Sequence, residues 1–183
     1  TTNLNKIKNI IKDTHKSKIK FGYKFGLELL NSKHGRKFVA NLKRKITFGD
    51  YKLGDIPNTC ESAIKAVKDL KFNYITIHIS SGLKALKAAK RVSGSTKIIG
   101  VTILTSLDNK SLKEIGFNKD IKKLVLHQAK LATKAKLDAI VCSPHEIKYI
   151  KKYFKKEIIT PGIRLGTSSN DQKRVSSPRD ALF

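Results

Sequence analysis

Tryptophan and methionine are absent from this 183-residue sequence, cysteine occurs twice and proline four times. Two cysteines, Cys60 and Cys142, are too few for a disulfide framework and lack zinc-knuckle spacing. The expected setting is therefore a reducing cytoplasm, with both thiols filling the core. No uncharged apolar run approaches the roughly 18–20 residues that cross a bilayer. The opening TTNLNKIKNIIKD also lacks the apolar centre of a signal peptide. No membrane partner is expected. Acid is scarce as well: 14 Asp and Glu stand against 39 Lys and Arg, a formal net charge of +25. Arginine is scarcer still. Thirty-three of those cations are Lys, whereas the Arg fork is what grips phosphates and guanine edges. The lysines are dispersed, and the densest runs, KRK at 43–45 and KKYFKK at 151–156, are short and lie on amphipathic segments. A compositional bias toward Lys, Ile and Asn on solvated faces accounts for the charge, so no specific nucleic-acid partner is expected. The positive field would still favour a phosphorylated small molecule.

What is present is an alternation of short β-rich runs with helical periodicity, the pattern of an α/β fold with a parallel sheet. Strands are expected at 20–26, 46–53, 74–80, 97–104, 139–143 and 157–164. Helices are expected at 4–12, 36–44, 62–70, 83–91, 121–136 and 145–154, with a loop carrying a helical turn at 111–116 and another helix starting at Pro178. No Pro-, Gly- and Ser-rich linker interrupts this order, so residues 1–183 read as a single domain. A (β/α)8 barrel of the TIM type explains the alternation. A doubly wound sheet usually shows a Gly-rich first turn, and none is seen.

In a barrel the residues at strand carboxyl ends carry function. The polar residues to inspect are Lys24 within the first strand, Asp50, Lys52 and Asp55 following ITF, His78 inside YITIHIS, Thr102 and Thr105 ending GVTILTS, and Arg164 ending TPGIR. Strand alternation places Asp50 and Lys52 on one face, with Asp55 three residues on, as a compact charged array. Two readings stay open. The array is an ordinary salt bridge beside a turn closed by Pro57 and a helix cap at Asn58 or Thr59. Alternatively it is catalytic, because an idle ion pair inside a barrel costs desolvation energy. His78 reads as a satisfied core residue. His15, His34, His127 and His145 show no metal-ligand spacing, so no metal site is expected.

The run Asp50-Tyr-Lys-Leu-Gly-Asp-Ile-Pro-Asn-Thr59 resembles the signature of the orotidine 5′-phosphate decarboxylase family. Further family marks follow in order: Tyr23-Lys24-Phe25-Gly26, His78-Ile-Ser-Ser-Gly82, Gly100-Val-Thr-Ile-Leu-Thr-Ser106, Val141-Cys-Ser143, Thr160-Pro-Gly-Ile-Arg164 and Asp171-Gln-Lys-Arg-Val175. The resemblance implies cofactor-free decarboxylation of orotidine 5′-monophosphate to uridine 5′-monophosphate in pyrimidine synthesis. It implies that Lys52 protonates the C6 carbanion, Asp50 crowds the substrate carboxylate and Lys24 completes the network and meets the ribose. Asp55, Ile56 and Thr59 would enter the substrate set, with Asp55 and Thr59 shared across a homodimer. Thr105 would contact the pyrimidine. Pro161, Arg164 and Gln172 would complete the substrate set, Gln172 on a phosphate-closing loop at 165–173.

The shorter Asp-x-Lys-x-x-Asp core also fits magnesium-dependent sugar-phosphate lyases of the same superfamily. Gly54 stands where many members carry His. Against the family pattern the first strand, ending Ala-Leu-Asp, and the eighth, with its Gly-Arg phosphate contact, fall outside the sequence. That predicts an incomplete barrel, truncated at both ends, with two bared strand edges. A non-catalytic remnant that binds nucleotide or RNA is therefore a further alternative.

Overall fold

Each run read as a strand forms one, and all pair in parallel. A computed structural model describes residues 1–42, 46–164, 174 and 176–179. Its strands are β1 (Gly22–Gly26), β2 (Ile46–Leu53), β3 (Tyr74–His78), β4 (Lys97–Val101), β5 (Ala139–Val141) and β6 (Glu157–Ile159). The sheet order is β1-β2-β3-β4-β5-β6, each strand beside its successor. A doubly wound sheet would reverse direction at a switch point. Unbroken sequential order is instead that of a (β/α) barrel, and the fold is of the TIM-barrel type. Six strands lie among the described residues.

The helices are α1 (Leu4–Thr14), α2 (Leu27–Leu30), α3 (Gly35–Ala40), α4 (Pro57–Ala66), α5 (Gly82–Val92), α6 (Asn109–Glu114), α7 (Ile121–Lys134) and α8 (Ile147–Ile150). Parallel strands covered on both faces need apolar residues throughout. Ile75, Ile77, Ile98, Ile99 and Ile140 accordingly lie buried. Helices α5 and α7 close over them with small residues, Ala85, Ala89, Ala129 and Ala132, while Lys122, Lys123, Lys130 and Lys134 stay exposed. Cys60 and Cys142 are free and buried, as expected. No described helix is long and apolar enough to cross a membrane.

Several boundaries differ from the sequence reading, for local reasons. Helix α4 begins at Pro57 rather than at 62, and its N-cap is Ile56, not Asn58 or Thr59. Proline suits the first helical position because the missing N–H would be unpaired there anyway. Short α2 escaped detection, since four residues carry too little periodicity. The helix expected over 145–154 contracts to α8, after a 3-10 turn at Pro144–Glu146. The chain beyond it turns to seat Phe154, 2% exposed, in the core. Helices α6 and α7 start on the caps Asp108 and Asp120, which accept from Ser111 N and Lys123 N, each at 2.8 Å.

Candidate active site

The site is built on an irregularity in β2. Gly49 pairs with Ile75, but the next register partner is Leu53 with Ile77. Asp50, Tyr51 and Lys52 thus lie opposite Thr76 alone, a bulge that re-aims side chains at the strand end. Lys52 takes the left-handed conformation, φ 46°, a strained choice for a residue with a Cβ. Its backbone N–H leaves the ladder and donates to Thr76 Oγ1 at 2.8 Å. The same hydroxyl donates to Asp50 Oδ1 at 3.1 Å. One threonine therefore fixes both the bulge and the carboxylate.

The other oxygen of Asp50 takes two ammonium groups. Lys52 Nζ lies 2.8 Å and Lys24 Nζ 2.9 Å from Oδ2. Register sets up the second contact, since β1 pairs Lys24 with Phe48 and Gly26 with Asp50. Asp50 is 8% exposed at its side chain, Lys52 37% and Lys24 62%. Burial pushes the Asp50 carboxyl up, but the hydrogen bonds and charges of Lys52 and Lys24 outweigh it. The net position is below the ordinary carboxylate range. Asp50 is thus held ionised between two cations.

These three side chains line a cavity of about 500 Å³. Thr105, from the loop after β4, and Pro161, beyond β6, form other parts of its wall. Cys142 also lines it, and burial pushes that thiol up to about 12, leaving it a neutral wall residue. Five of the residues expected from sequence, Lys24, Asp50, Lys52, Thr105 and Pro161, therefore meet in one place.

Others do not join them. The array was expected to include Asp55, but the chain turns out of β2 and Asp55 lines a separate open depression with Ile56, His78 and Ser80. Its carboxylate accepts from Ile56 N at 2.7 Å instead. Asp55, Ile56 and Thr59 are all exposed. Arg164 is half-buried, its N–H donating to Ser176 O at 3.0 Å and its guanidinium to Ile163 O. Gln172 and the 165–173 segment lie outside the described residues. His78 ends its strand at the mouth rather than sitting inside the core. Burial lowers its pKa, Lys52 adding to the effect and Asp50 opposing it.

Thr76 was missed by sequence reading. A lone hydroxyl in the run YITIH was the available signal, but threonine is ordinary in strands. Thr76→Val keeps the shape and removes the hydroxyl, leaving Lys52 N without its acceptor. A loss of about 1–3 kcal/mol in unfolding free energy is expected by chemical denaturation.

The sequence model of the "Orotidine 5'-phosphate decarboxylase / HUMPS family" matches residues 2–182. A protein of Wolbachia sp. subsp. Brugia malayi described as orotidine 5′-phosphate decarboxylase is 41% identical over 165 residues, covering 87% of this chain and 73% of that protein. One from Ehrlichia chaffeensis with the same description is 46% identical over 141 residues, covering 74% of this chain. That match spans 61% of the Ehrlichia protein, less than two thirds of its length. Among solved structures, the orotidine 5′-phosphate decarboxylase of Lactobacillus acidophilus superposes with a TM-score of 0.77 at 29% identity, covering 97% of this chain and 79% of its own. The orotidine 5′-monophosphate decarboxylase of Methanocaldococcus jannaschii, complexed with the inhibitor BMP, gives 0.68 at 26% identity, covering 87% and 70%.

Proposed function

The chain belongs to the orotidine 5′-phosphate decarboxylase / HUMPS family, and from that membership we propose that it decarboxylates orotidine 5′-monophosphate to uridine 5′-monophosphate. The observation that carries this reading is the Lys24–Asp50–Lys52 array, an ionised, nearly buried carboxylate bridging two ammonium groups on a cavity wall. The C6–carboxylate bond breaks, CO2 departs and the electron pair stays on C6. That carbanion has no electron sink in the ring, so stabilisation must come from preorganised charge. Lys52 faces the developing charge and transfers its Nζ proton to C6, recovering one from water afterwards. Asp50 holds the Lys52 ammonium in place through the 2.8 Å contact to its Oδ2, and its own charge crowds the substrate carboxylate. Once the carboxylate leaves as neutral CO2, that repulsion vanishes, so the bond-breaking step is favoured over the bound ground state.

Thr105 contacts the pyrimidine, and Lys24, half out of the cavity, reaches the ribose. Pro161, Arg164 and Gln172 serve the rest of the substrate, Gln172 at its phosphate. Ile56 joins the substrate set, and Asp55 and Thr59 serve a second copy of the chain in a homodimer. Asp55 and Thr59 are exposed, which suits side chains that act outside their own subunit. The pathway is pyrimidine nucleotide synthesis in the cytoplasm.

The test follows the ultraviolet absorbance of orotidine 5′-monophosphate in the presence of chelator. Steady loss of absorbance is the expected result. Activity that appears only with magnesium would assign the chain to the lyase branch instead. A folded protein without turnover, binding RNA with steep salt dependence, would mark a non-catalytic remnant.

A further inference from the structure

Arg174, which the sequence reading gave no role, is bonded to the cavity wall through both its side chain and its backbone. Its guanidinium donates to Ile103 O at 2.9 Å and Leu104 O at 3.0 Å. Its backbone N–H donates to Thr105 O at 3.3 Å. Three successive carbonyls of the loop after β4 are thus held by one residue, and Ile103, Leu104 and Thr105 all line the cavity. The remaining arm of the guanidinium pairs with the carboxylate of Glu146. Glu146 is 2% exposed, and its second oxygen accepts from Ser143 N at 2.9 Å. Burial pushes the Glu146 carboxyl up, and Arg174 pulls it back only in part.

A buried pair of this kind contributes little net stability over an apolar pair, because both charges lose their hydration. What it supplies is geometry. A planar fork with fixed donor directions can span two carbonyls and a carboxylate at once, which a lysine point charge cannot. We propose that Arg174, oriented by Glu146, is a positioning residue that braces the loop after β4 against the loop after β5 and so fixes Thr105 at the substrate cavity. The catalytic consequence rests on the decarboxylase reading; the brace itself does not.

Arg174→Met keeps most of the side-chain volume and removes every side-chain donor, while Glu146→Gln keeps shape and removes charge. Both are compared with the unaltered protein by thermal melting, amide hydrogen exchange and kinetics on orotidine 5′-monophosphate. For Arg174→Met the expected result is a cooperative melt with exchange over residues 102–107 faster by about tenfold or more and the β3 amides unchanged. KM should rise about tenfold or more, with kcat falling less, because the binding wall is loosened while the Lys52 array is untouched. Glu146→Gln should move both quantities in the same direction by a smaller factor. Unchanged exchange over 102–107, a rise spread evenly over the sheet, or unchanged KM would each overturn the proposal. If Arg174→Met does not melt cooperatively, Glu146→Gln decides by the same criteria. Absence of turnover in the unaltered protein would overturn the decarboxylase reading alone, and exchange would then decide the brace.

Discussion

Replacing Lys52 with alanine is expected to lower kcat/KM by at least about a thousandfold while the protein still folds. Removing one preorganised group that faces developing charge already costs two to three orders of magnitude in acyl-transfer enzymes. Lys52 would additionally supply the proton that replaces CO2. The fold should tolerate the change. Alanine meets the same backbone demand at φ 46°, and the Lys52 N–H to Thr76 bond belongs to the main chain. Asp50 keeps Lys24 and Thr76 as partners. The loss in unfolding free energy should stay near about 1–2 kcal/mol, the range for one partly exposed ion pair with a charged hydrogen bond. Absorbance kinetics and a denaturation curve on the same preparation check both halves. Lys52→Arg sharpens the result, because the guanidinium keeps the charge but does not release a proton. If Lys52→Arg retained substantial turnover, Lys52 would be an electrostatic group and not the proton donor.

Asp50→Asn should cost at least about a hundredfold in kcat/KM and alter the acid limb of the stability curve. The amide no longer repels a substrate carboxylate, nor does it keep two ammonium groups together on one oxygen. The effect on stability at neutral pH is moderate, about 1–3 kcal/mol, because Lys24 and Lys52 can turn to water where a fully buried cation could not. The pH dependence has a definite sign. The folded carboxyl of Asp50 lies below its ordinary value, so the unfolded chain takes up its proton first as pH falls. The stabilisation is complete above about pH 5, where the unfolded carboxyl is essentially all ionised, and is lost as pH falls through the folded value. Unfolding free energies of the two proteins should therefore differ most at neutral pH and converge in strong acid. A difference independent of pH would show that the carboxylate charge contributes nothing to the fold.

The charged array was legible in the sequence for a partly mistaken reason. Alternation along a regular strand puts Asp50 and Lys52 on one face, and their side chains do meet. They meet across a bulge, however, with Lys52 in a left-handed conformation that no strand periodicity anticipates. The same break carries Asp55 away to the neighbouring depression, against the expected three-membered cluster. On spacing alone Lys24 was a lone cation in a glycine-rich strand, joined to the network only by the family resemblance; pairing of β1 with β2 brings it within 2.9 Å of Asp50. Glu146 was not singled out, since nothing local tied it to Arg174, 28 positions on.

Sequence by itself determined the six strands, their buried faces and the neighbourhood of Asp50 and Lys52. Those features follow from residues close along the chain, where side-chain period and propensity act directly. Only the tertiary structure decided that Thr76 fixes the array, that Asp55 leaves it and that Arg174 braces the cavity wall. Each of those depends on pairing between distant segments, on strand register and on a bulge. Burial and hydrogen-bond satisfaction select such contacts once the sheet has assembled.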